Sequence, residues 1–383
     1  MPDIEFSAPY NNQLGTLEEI YKIKNLKGNK IREIYLSCPE EYSGTGRAGS
    51  VNTIKKLDLD EFIRLVDQIH ALGFRVDIVM NSTCEGGDWY SKKELNKLID
   101  FLSLMHKEYD TEAVTIANPI IIKEARKHFP ELEISASVLG DIDSLQRAQM
   151  YADCGANVMT PDVNINRNLN LLREIKETTG MELKIMVNEG CLYKCAFRKF
   201  HFNYISHKSK ELEVESKIFS EHCFPVTAKD LSQILKSCWI RPEDISKYKG
   251  ITNYFKVVGR SMPTSKVIRS VKAYMQENWA GDIFDILCSN IGFFGWRTGA
   301  SLNNKRLDKY NFFEKTNSCD RNCAHCKYCD ELANKLISFG DYSPERLEDL
   351  GLKDLIGKSL EEAGLTDIEK LEDEERILIN EAK

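Results

Sequence analysis

Short apolar runs alternate with longer amphipathic segments along the first three quarters of the chain. Eight runs have the length and the β-branched or aromatic content of strands. They cover residues 4–7, 33–37, 75–80, 114–117, 133–137, 157–160, 182–187 and 254–258. An alternation of buried strands with helices is typical of parallel βαβ units.

The segments between these runs have helical periodicity. Residues 59–72 place Phe62, Leu65 and Ile69 on one face, and Gly73 follows as a C-terminal stop. The same period predicts helices over residues 91–109, 120–128, 142–153, 168–178 and 265–279. Each predicted helix therefore has an apolar face that can cover a sheet.

Eight strand–helix units within about 280 residues predict the α/β class and a (β/α)8 TIM-like barrel, whose usual size is about 250 residues. A doubly wound open sheet is the alternative, but no glycine-rich dinucleotide motif follows the first strand. We predict a barrel over residues 1–285 with a cysteine-bearing insertion at about 188–252 after the seventh strand. Residues 286–383 are predicted to form a cysteine-rich metal-binding segment and an acidic helical tail.

Polar side chains follow almost every predicted strand. In such barrels the carboxyl ends of the strands and the next loops build the functional site. Single Asn and Ser residues at these places are also ordinary helix caps. Together they predict a polar pocket, with Arg260 and also Arg47 as groups that bind an anion.

Composition and charge narrow the class of protein. The hydrophobic content is 42%, there is no apolar run of 18 residues and the first residues do not resemble a signal peptide, so we expect a cytoplasmic protein with no membrane segment. The net charge of −7 comes from residues 341–383, which hold 14 acidic and 6 basic residues. Residues 191–210 contain no carboxylate, so a basic local surface is compatible with the acidic total.

Twelve cysteines are the main chemical signal. In a reducing compartment they indicate metal ligation rather than disulfides. Eight fall in two groups, while Cys38, Cys84, Cys154 and Cys288 are scattered and are expected to be small packing residues. The first set is the central cysteine group, Cys191, Cys195, Cys223 and Cys238. The second is the tail cysteine run, Cys319, Cys323, Cys326 and Cys329.

The tail cysteine run places four thiols within eleven residues, which suits a 4Fe-4S cluster better than zinc, although zinc stays an alternative. Its first three cysteines have the spacing of radical-SAM enzymes. We attribute this to chance, because only 54 residues follow Cys329 and such a triad normally follows the first strand of its own barrel. Two roles stay open for the metal centre of this run: it fixes the structure of the tail, or it transfers electrons.

The spacing of the central cysteine group is weaker evidence for a metal site, but its position in the predicted barrel is more informative. Cys191 follows the predicted seventh strand directly, next to Asn188 and Glu189. A cluster there would face the barrel mouth, where it could transfer electrons or bind a substrate oxygen. Three nearby histidines are candidates to replace a thiolate, namely His201, His207 and His222.

Several local stretches resemble peptidase family U-32, the collagenase-like family. They are residues 188–191 (Asn-Glu-Gly-Cys), 195–198 (Cys-Ala-Phe-Arg), 226–231 after Cys223, and 255–260 followed by the helix that contains Tyr274. The resemblance covers roughly residues 4–280 and implies a (β/α)8 protein with a 4Fe-4S cluster. It also implies oxygen-independent hydroxylation of RNA or of ubiquinone precursors, with prephenate proposed as the hydroxyl source in some members.

Carried over to this sequence, the resemblance implies Cys191, Cys195, Cys223 and Cys238 as the cluster ligands. Cys191 and Cys195 lie closer together than that pattern leads one to expect, and Cys238 lies outside a clear family motif. The tail cysteine run is outside the resemblance and suggests a second cluster in a distinct subfamily.

These observations predict an anaerobic iron–sulfur oxidoreductase of the hydroxylase type. We expect Glu189 to act as an acid or base, with Asn188 beside it and Arg260 holding a substrate anion. The expected partners are a small-molecule or RNA substrate, an electron-donor protein, and a second chain in a homo- or heterodimer. Two alternatives stay open: a metal-clipped RNA-binding or assembly protein that uses the cations of residues 194–210, and a peptidase, for which no serine, zinc or paired-aspartate motif is present.

Overall fold

The computed structural model describes residues 4–46, 56–210 and 223–340. The acidic tail, Arg47 and His222 lie outside the described residues. Within the described part, no helix combines the length and apolar character needed to cross a membrane.

A closed barrel of eight parallel strands forms the centre of the molecule. The strands in the described residues are β1 (Glu5–Pro9), β2 (Asn25–Leu26), β3 (Asn29–Ser37), β4 (Arg75–Met80), β5 (Ala113–Ile116), β6 (Glu133–Ala136), β7 (Val158–Met159), β8 (Glu182–Met186), β9 (Tyr254–Lys256), β10 (Ala300–Ser301) and β11 (Ser338–Phe339). Strand β1 pairs with both β3 and β9, and this closes the ring. The (β/α)8 prediction is therefore confirmed and the open sheet is wrong. Strand β2 is an antiparallel extension of β3.

The helices surround this ring. They are α1 (Thr16–Lys22), α2 (Leu59–Ala71), α3 (Lys92–Glu108), α4 (Pro119–His128), α5 (Leu145–Asp153), α6 (Leu169–Thr179), α7 (Arg198–Ser209), α8 (Cys223–Lys229), α9 (Ser232–Lys236), α10 (Thr264–Met275), α11 (Ser289–Thr298), α12 (Phe312–Asn317) and α13 (Tyr328–Leu336). Helix α5 begins later than predicted, because Ser144 caps it by accepting from Arg147 N. Helix α10 ends at Met275, and Glu277 follows with a left-handed φ of 49°.

Side chains alternate along the barrel strands, with apolar ones facing the surrounding helices and polar ones facing the barrel interior. Ile34, Val76 and Ile185 are fully buried against the helical layer. The inward positions of the same strands hold a buried polar network, which the sequence patterns did not predict. Its members are Ser7, Glu33, Asp77, Thr115, Ser135, Lys184 and Lys256. Barrel interiors are more often filled by branched apolar residues, so this network is a distinguishing feature of the chain.

The insertion after β8 contains α7, α8 and α9, and the segment after α10 packs against it. Trp239 of the insertion stacks on Phe312 with ring centroids 5.5 Å apart, and Lys236 Nζ lies 3.1 Å from Asp330 Oδ1. Arg167 fastens the insertion to the barrel, because its guanidinium donates to Leu235 O at 2.8 Å and Trp239 O at 2.7 Å. The residues on either side of the tail cysteine run therefore lie next to the insertion.

Candidate functional site at the barrel mouth

A pocket of about 90 Å³ opens at the carboxyl ends of the barrel strands. Polar side chains that follow the predicted strands contribute to it, among them Asn81, Ser137, Thr160, Glu189 and Arg260. Asn11, from the first strand end, does not line it and instead donates to Met262 O at 2.9 Å. The pocket is therefore polar, as expected from the strand ends, but it is formed by only part of the ring.

Asn188 holds strand ends together. Its amide donates to Val258 O and Ile286 O, each at 3.0 Å, and its oxygen accepts from Val258 N at 2.6 Å. The side chain is fully buried. These bonds occupy both ends of the amide and fix the position of Asn188, while its catalytic role stays a prediction.

Glu189 is the carboxylate at the pocket. Its Oε1 accepts from Cys191 Sγ at 2.9 Å and from Ser289 Oγ at 3.0 Å. Arg198 Nη1 lies 3.6 Å from the same oxygen. Glu189 thus links the pocket to the first thiol of the central cysteine group.

Arg260 reaches the pocket from the loop after β9. Its Nη1 donates to Ser37 Oγ at 2.7 Å, and its guanidinium carbon lies 5.5 Å from the Tyr35 ring centroid. Burial lowers the pKa of Arg260, although an arginine stays charged in proteins. A buried cation at the edge of a polar pocket can bind a carboxylate or phosphate.

Three thiols of the central cysteine group are close enough to influence one another. Burial raises the pKa of Cys191, with further contributions from Glu189 and Cys223. Burial also raises the pKa of Cys223 to about 11, and Cys195 adds to this shift. Cys223 therefore lies within electrostatic range of both Cys191 and Cys195, although a long insertion segment separates it from them along the chain.

Arg198, at the start of α7, is a buried cation beside these thiols. It is 7% exposed, and none of its guanidinium nitrogens forms a hydrogen bond within the described part of the chain. Its guanidinium carbon lies 4.8 Å from the Phe202 ring centroid. Burial alone would lower its pKa, but Cys191 and Glu189 raise the pKa overall. Buried charges need compensation, so Arg198 indicates that negative charge belongs at this position.

Cys238 lies in a different environment. It is 3% exposed, and its Sγ donates to Asn164 O at 3.5 Å. Burial raises the pKa of this thiol, and Arg167 and Arg321 oppose the rise, the latter a residue of the tail cysteine run. Arg321 N also donates to Cys319 Sγ at 3.3 Å, and its guanidinium lies 5.0 Å from the Tyr193 ring centroid. The structure therefore places Cys238 against the tail cysteine run.

Within the tail cysteine run, Cys319 and Cys323 both contribute to the raised pKa of Cys329, about 11, although burial is the main cause. Cys326 is exposed. No group of three or more His, Cys, Asp or Glu side chains among the described residues has the arrangement for a single metal ion. A four-thiolate cluster is larger than one ion, and the adjacent thiols of the central cysteine group with the buried Arg198 cation suit its net negative charge.

The scattered cysteines divide into two kinds. Cys38 and Cys288 are buried, as expected of small packing residues. Cys84 is half-buried, and its Sγ lies 2.9 Å from His207 Nε2 of α7. His201 instead stacks on Phe202, with ring centroids 5.8 Å apart. The Cys84–His207 pair was missed because 123 residues separate its members and neither belongs to a local motif.

Lys256 is a second missed pocket residue. It lines the pocket from the end of β9. A period-two count along that strand could have placed it inside the barrel, since Tyr254 and Val258 alternate with the outward Phe255 and Val257. The residues on either side of Lys256 are apolar or aromatic, so the local pattern predicts a strand and does not mark the lysine as a site residue.

Comparison with known proteins identifies the family. A sequence model of Peptidase family U32 matches residues 21–278. The chain belongs to peptidase family U32. This confirms the resemblance noted in its cysteine-containing and strand-end stretches.

Two of the proteins that this chain resembles illustrate the similarity. One is an uncharacterized protease of Methanocaldococcus jannaschii, 32% identical over 329 residues, which cover 85% of this chain and 94% of that protein. The other is the solved structure of a U32 peptidase, with 17% identity and a TM-score of 0.49, covering 66% of this chain and 91% of that one. The family is named for peptidases, so an enzymatic role is the broad expectation for this U32 protein.

Proposed function

We propose that this U32 protein is an iron–sulfur enzyme that carries out a redox modification, with oxygen-independent hydroxylation as the reaction class. The observation that supports this most is the contact of Cys191 with Glu189 at the barrel mouth, with Cys223 within electrostatic range of Cys191 and Cys195. Thiolates in a compact group are the usual ligands of such clusters. Because Glu189 lines the pocket, a cluster held by these thiols would lie next to a substrate site.

The pocket residues have separate tasks in this proposal. Cys191, Cys195 and Cys223 hold the cluster, which when bound supplies one-electron chemistry. Arg198 balances negative charge next to Cys191. Glu189 holds or accepts a proton at the pocket, since its Oε1 already accepts from two donors there. Arg260 orients an anionic group of the substrate.

The fourth ligand is Cys238 in the arrangement implied by the family resemblance. The proximity of Cys238 to Arg321 favours a second arrangement, in which it lies beside the tail cysteine run without being a ligand of the central cluster. We propose that this run, with four thiols of its own, holds a second 4Fe-4S cluster, with zinc as the alternative. Cys238→Ala separates the two arrangements, because it lowers the iron content only if Cys238 is a ligand of the central cluster.

Anaerobic purification with measurement of iron, acid-labile sulfide and zinc tests the proposal. We expect a brown protein with the visible absorbance of an iron–sulfur cluster, and Cys191→Ala or Cys223→Ala should lose one cluster. Cys154→Ala is the matched control, because this half-buried thiol lies at the end of α5 in the outer layer. A colourless, zinc-loaded protein, or unchanged iron in Cys191→Ala, would contradict the proposal.

The substrate is a small molecule or an RNA. Binding of tRNA or rRNA fragments at several salt concentrations distinguishes these classes, because phosphate contacts make RNA affinity fall steeply with salt. Substitution of Lys199 and Lys208, on α7, should weaken RNA binding and leave iron content unchanged. Unaltered RNA affinity in that variant would favour the small-molecule class.

A specific contact supports hydrolysis as a second candidate function. Cys84 Sγ and His207 Nε2 are 2.9 Å apart, which is within the range for an activated nucleophile and its base. In this hypothesis the sulfur bonds to a peptide carbonyl carbon while its proton passes to His207 and then to the leaving amine. Water afterwards cleaves the thioester and releases the acid.

Cleavage of a peptide library by metal-free protein tests the hydrolase hypothesis. Cys84→Ser and His207→Ala should each abolish cleavage, while Cys154→Ser should retain it. Rapid alkylation of Cys84 by iodoacetamide that depends on His207 would add support. Cleavage that survives Cys84→Ser would exclude this pair as the source of activity.

A further inference from the structure

Lys256 is a buried lysine whose amine faces the mouth pocket. It is 4% exposed and lines the pocket near Arg260 and Thr115. Its Nζ lies 3.6 Å from Asp77 Oδ2 and 3.8 Å from the Tyr35 ring centroid. Asp77 is therefore an ion-pair partner beyond hydrogen-bond distance, and no shorter contact of this amine is found in the described part of the chain. Its place in the pocket lining and its long ion pair distinguish it from an ordinary structural lysine.

Lys184 shows what a structural lysine looks like in the same barrel. Its Nζ donates to Glu33 Oε1 at 2.7 Å and to Asp77 Oδ2 at 3.0 Å, and its side chain is fully buried. Thr115 completes the shell of Asp77 by donating to its carboxylate at 2.8 Å. Lys184 is therefore the close cation for both carboxylates. Charge compensation of Glu33 and Asp77 does not account for the presence of Lys256.

Burial favours the neutral form of Lys256. Together with the smaller effects of Lys184 and Arg260, burial lowers the pKa of Lys256 to about 8, although Asp77 and Glu33 oppose the shift. A free lysine amine has a pKa of about 10.4. A much larger fraction of Lys256 is therefore uncharged near neutral pH, and the uncharged amine is the nucleophile.

We propose that Lys256 is a nucleophilic amine that forms an imine with the carbonyl group of a small aldehyde or ketone bound in the mouth pocket. The nitrogen bonds to the carbonyl carbon, loses its two protons, and the carbonyl oxygen leaves as water. This activity involves neither a cluster nor the Cys84–His207 pair. It is independent of the proposed function, so either can fail alone.

The pocket limits the carbonyl compound that can react. Its volume of about 90 Å³ admits a molecule of a few non-hydrogen atoms. The Arg260 cation at its edge favours one that carries a carboxylate. Glyoxylate combines an aldehyde with a carboxylate in a two-carbon molecule, and it is therefore a suitable probe.

Reductive trapping tests the proposal on the intact full chain. The protein is incubated with glyoxylate and sodium cyanoborohydride, which reduces an imine to a stable carboxymethyl amine. Peptide mapping by mass spectrometry then locates the modified lysine. We expect Lys256 to be modified about tenfold or more faster than exposed lysines at pH 8, because of the difference in the fraction of free amine.

Two comparisons make the test specific. Lys256→Arg should lose the rapid modification, whereas Lys22→Arg, in an exposed lysine of α1, should keep it. The rate at Lys256 should rise through about pH 8, while that of exposed lysines rises near their ordinary pKa of about 10.4. Because mapping reads the site directly in the unaltered protein, the result does not depend on whether the variant folds. Modification of Lys256 no faster than exposed lysines, or only after denaturation with urea, would overturn the proposal.

Discussion

Substitution of Lys184 by methionine tests the polar network that fills the barrel. Lys184 contacts Glu33 and Asp77 at 2.7 and 3.0 Å, and all three side chains are fully inaccessible to solvent. Methionine has a similar length but no charge. The variant would retain two buried carboxylates with Lys256 as the nearest cation, 3.6 Å from Asp77.

Removing one partner of a buried ion pair leaves an uncompensated charge and typically costs about 3–5 kcal/mol of the free energy of unfolding. Since Lys184 serves two carboxylates, we expect Lys184→Met to lie in the upper part of that range. Lys22→Met is the matched control. Its pair with Glu19 is solvent-exposed at both ends, 65% and 45%, and such pairs contribute about 0–1 kcal/mol.

The pH dependence distinguishes this cause from simple loss of packing. In the parent chain burial raises the pKa of Asp77, but Lys184 and Lys256 lower it by more than burial raises it. The net pKa of Asp77 therefore lies well below its usual range. This stabilises the fold above the unfolded pKa of about 3.9 and is lost as the pH falls below it. In Lys184→Met the buried Asp77 carboxyl has lost its closest cation, so its folded pKa should exceed the unfolded value of about 3.9. The free energy of unfolding of the variant then falls as the pH rises, because the carboxylate must ionise while buried.

Urea unfolding of both proteins, between about pH 4.5 and pH 7.5, measures the effect. The stability gap between parent and variant should widen as the pH rises. Glu33→Gln in the Lys184→Met background should recover part of the loss, because it removes one unpaired carboxylate. A loss no larger than that of Lys22→Met, or a gap that does not change with pH, would refute the reasoning.

Three further substitutions have local causes. Gly190→Ala places a Cβ 2.7 Å from Cys288 O, so we expect a loss of about 1–3 kcal/mol in urea unfolding, and an unchanged midpoint would contradict the close approach. Asp58→Ala removes the capping box of α2 and should cost about 1 kcal/mol by the same measurement, with a cost below a few tenths counting against the cap. Arg167→Met leaves buried carbonyls of the insertion without their donor, which should cost about 2–4 kcal/mol and increase proteolysis within the insertion; equal proteolysis would contradict the fastening role.

Local periodicity accounts for the part of the fold that the sequence predicted. Ile34 and Leu36 point outward while Glu33 and Tyr35 point inward, and this period of two marks a strand whatever surrounds it. Asp58 caps α2 where the helical period predicted its start, whereas Ser144 caps α5 later than that period predicted, and both caps act through contacts three residues away. The same kind of local evidence placed Glu189 and Cys191 immediately after a barrel strand.

The composition of the site depended on closure of the barrel. Lys184 and Asp77 are 107 residues apart and Cys84 and His207 are 123 apart, yet each pair is in hydrogen-bond contact. Nothing in the local sequence encodes which inward positions from different strands share a layer. Asn188 illustrates the opposite case, since its amide looked available in the sequence but is used by backbone groups 70 and 98 residues away.

The sequence by itself determined that the chain folds as a barrel, that an enlarged segment follows the strand Glu182–Met186, and that cysteines begin that segment. Only the tertiary structure decided that Lys256 lines the pocket with a long ion pair to Asp77, and that Cys238 lies near Arg321 of the tail cysteine run. The physical reason is that strand and helix formation depend on neighbours along the chain. The charge balance and the reactivity of a buried group depend instead on side chains that meet only when the ring of strands closes.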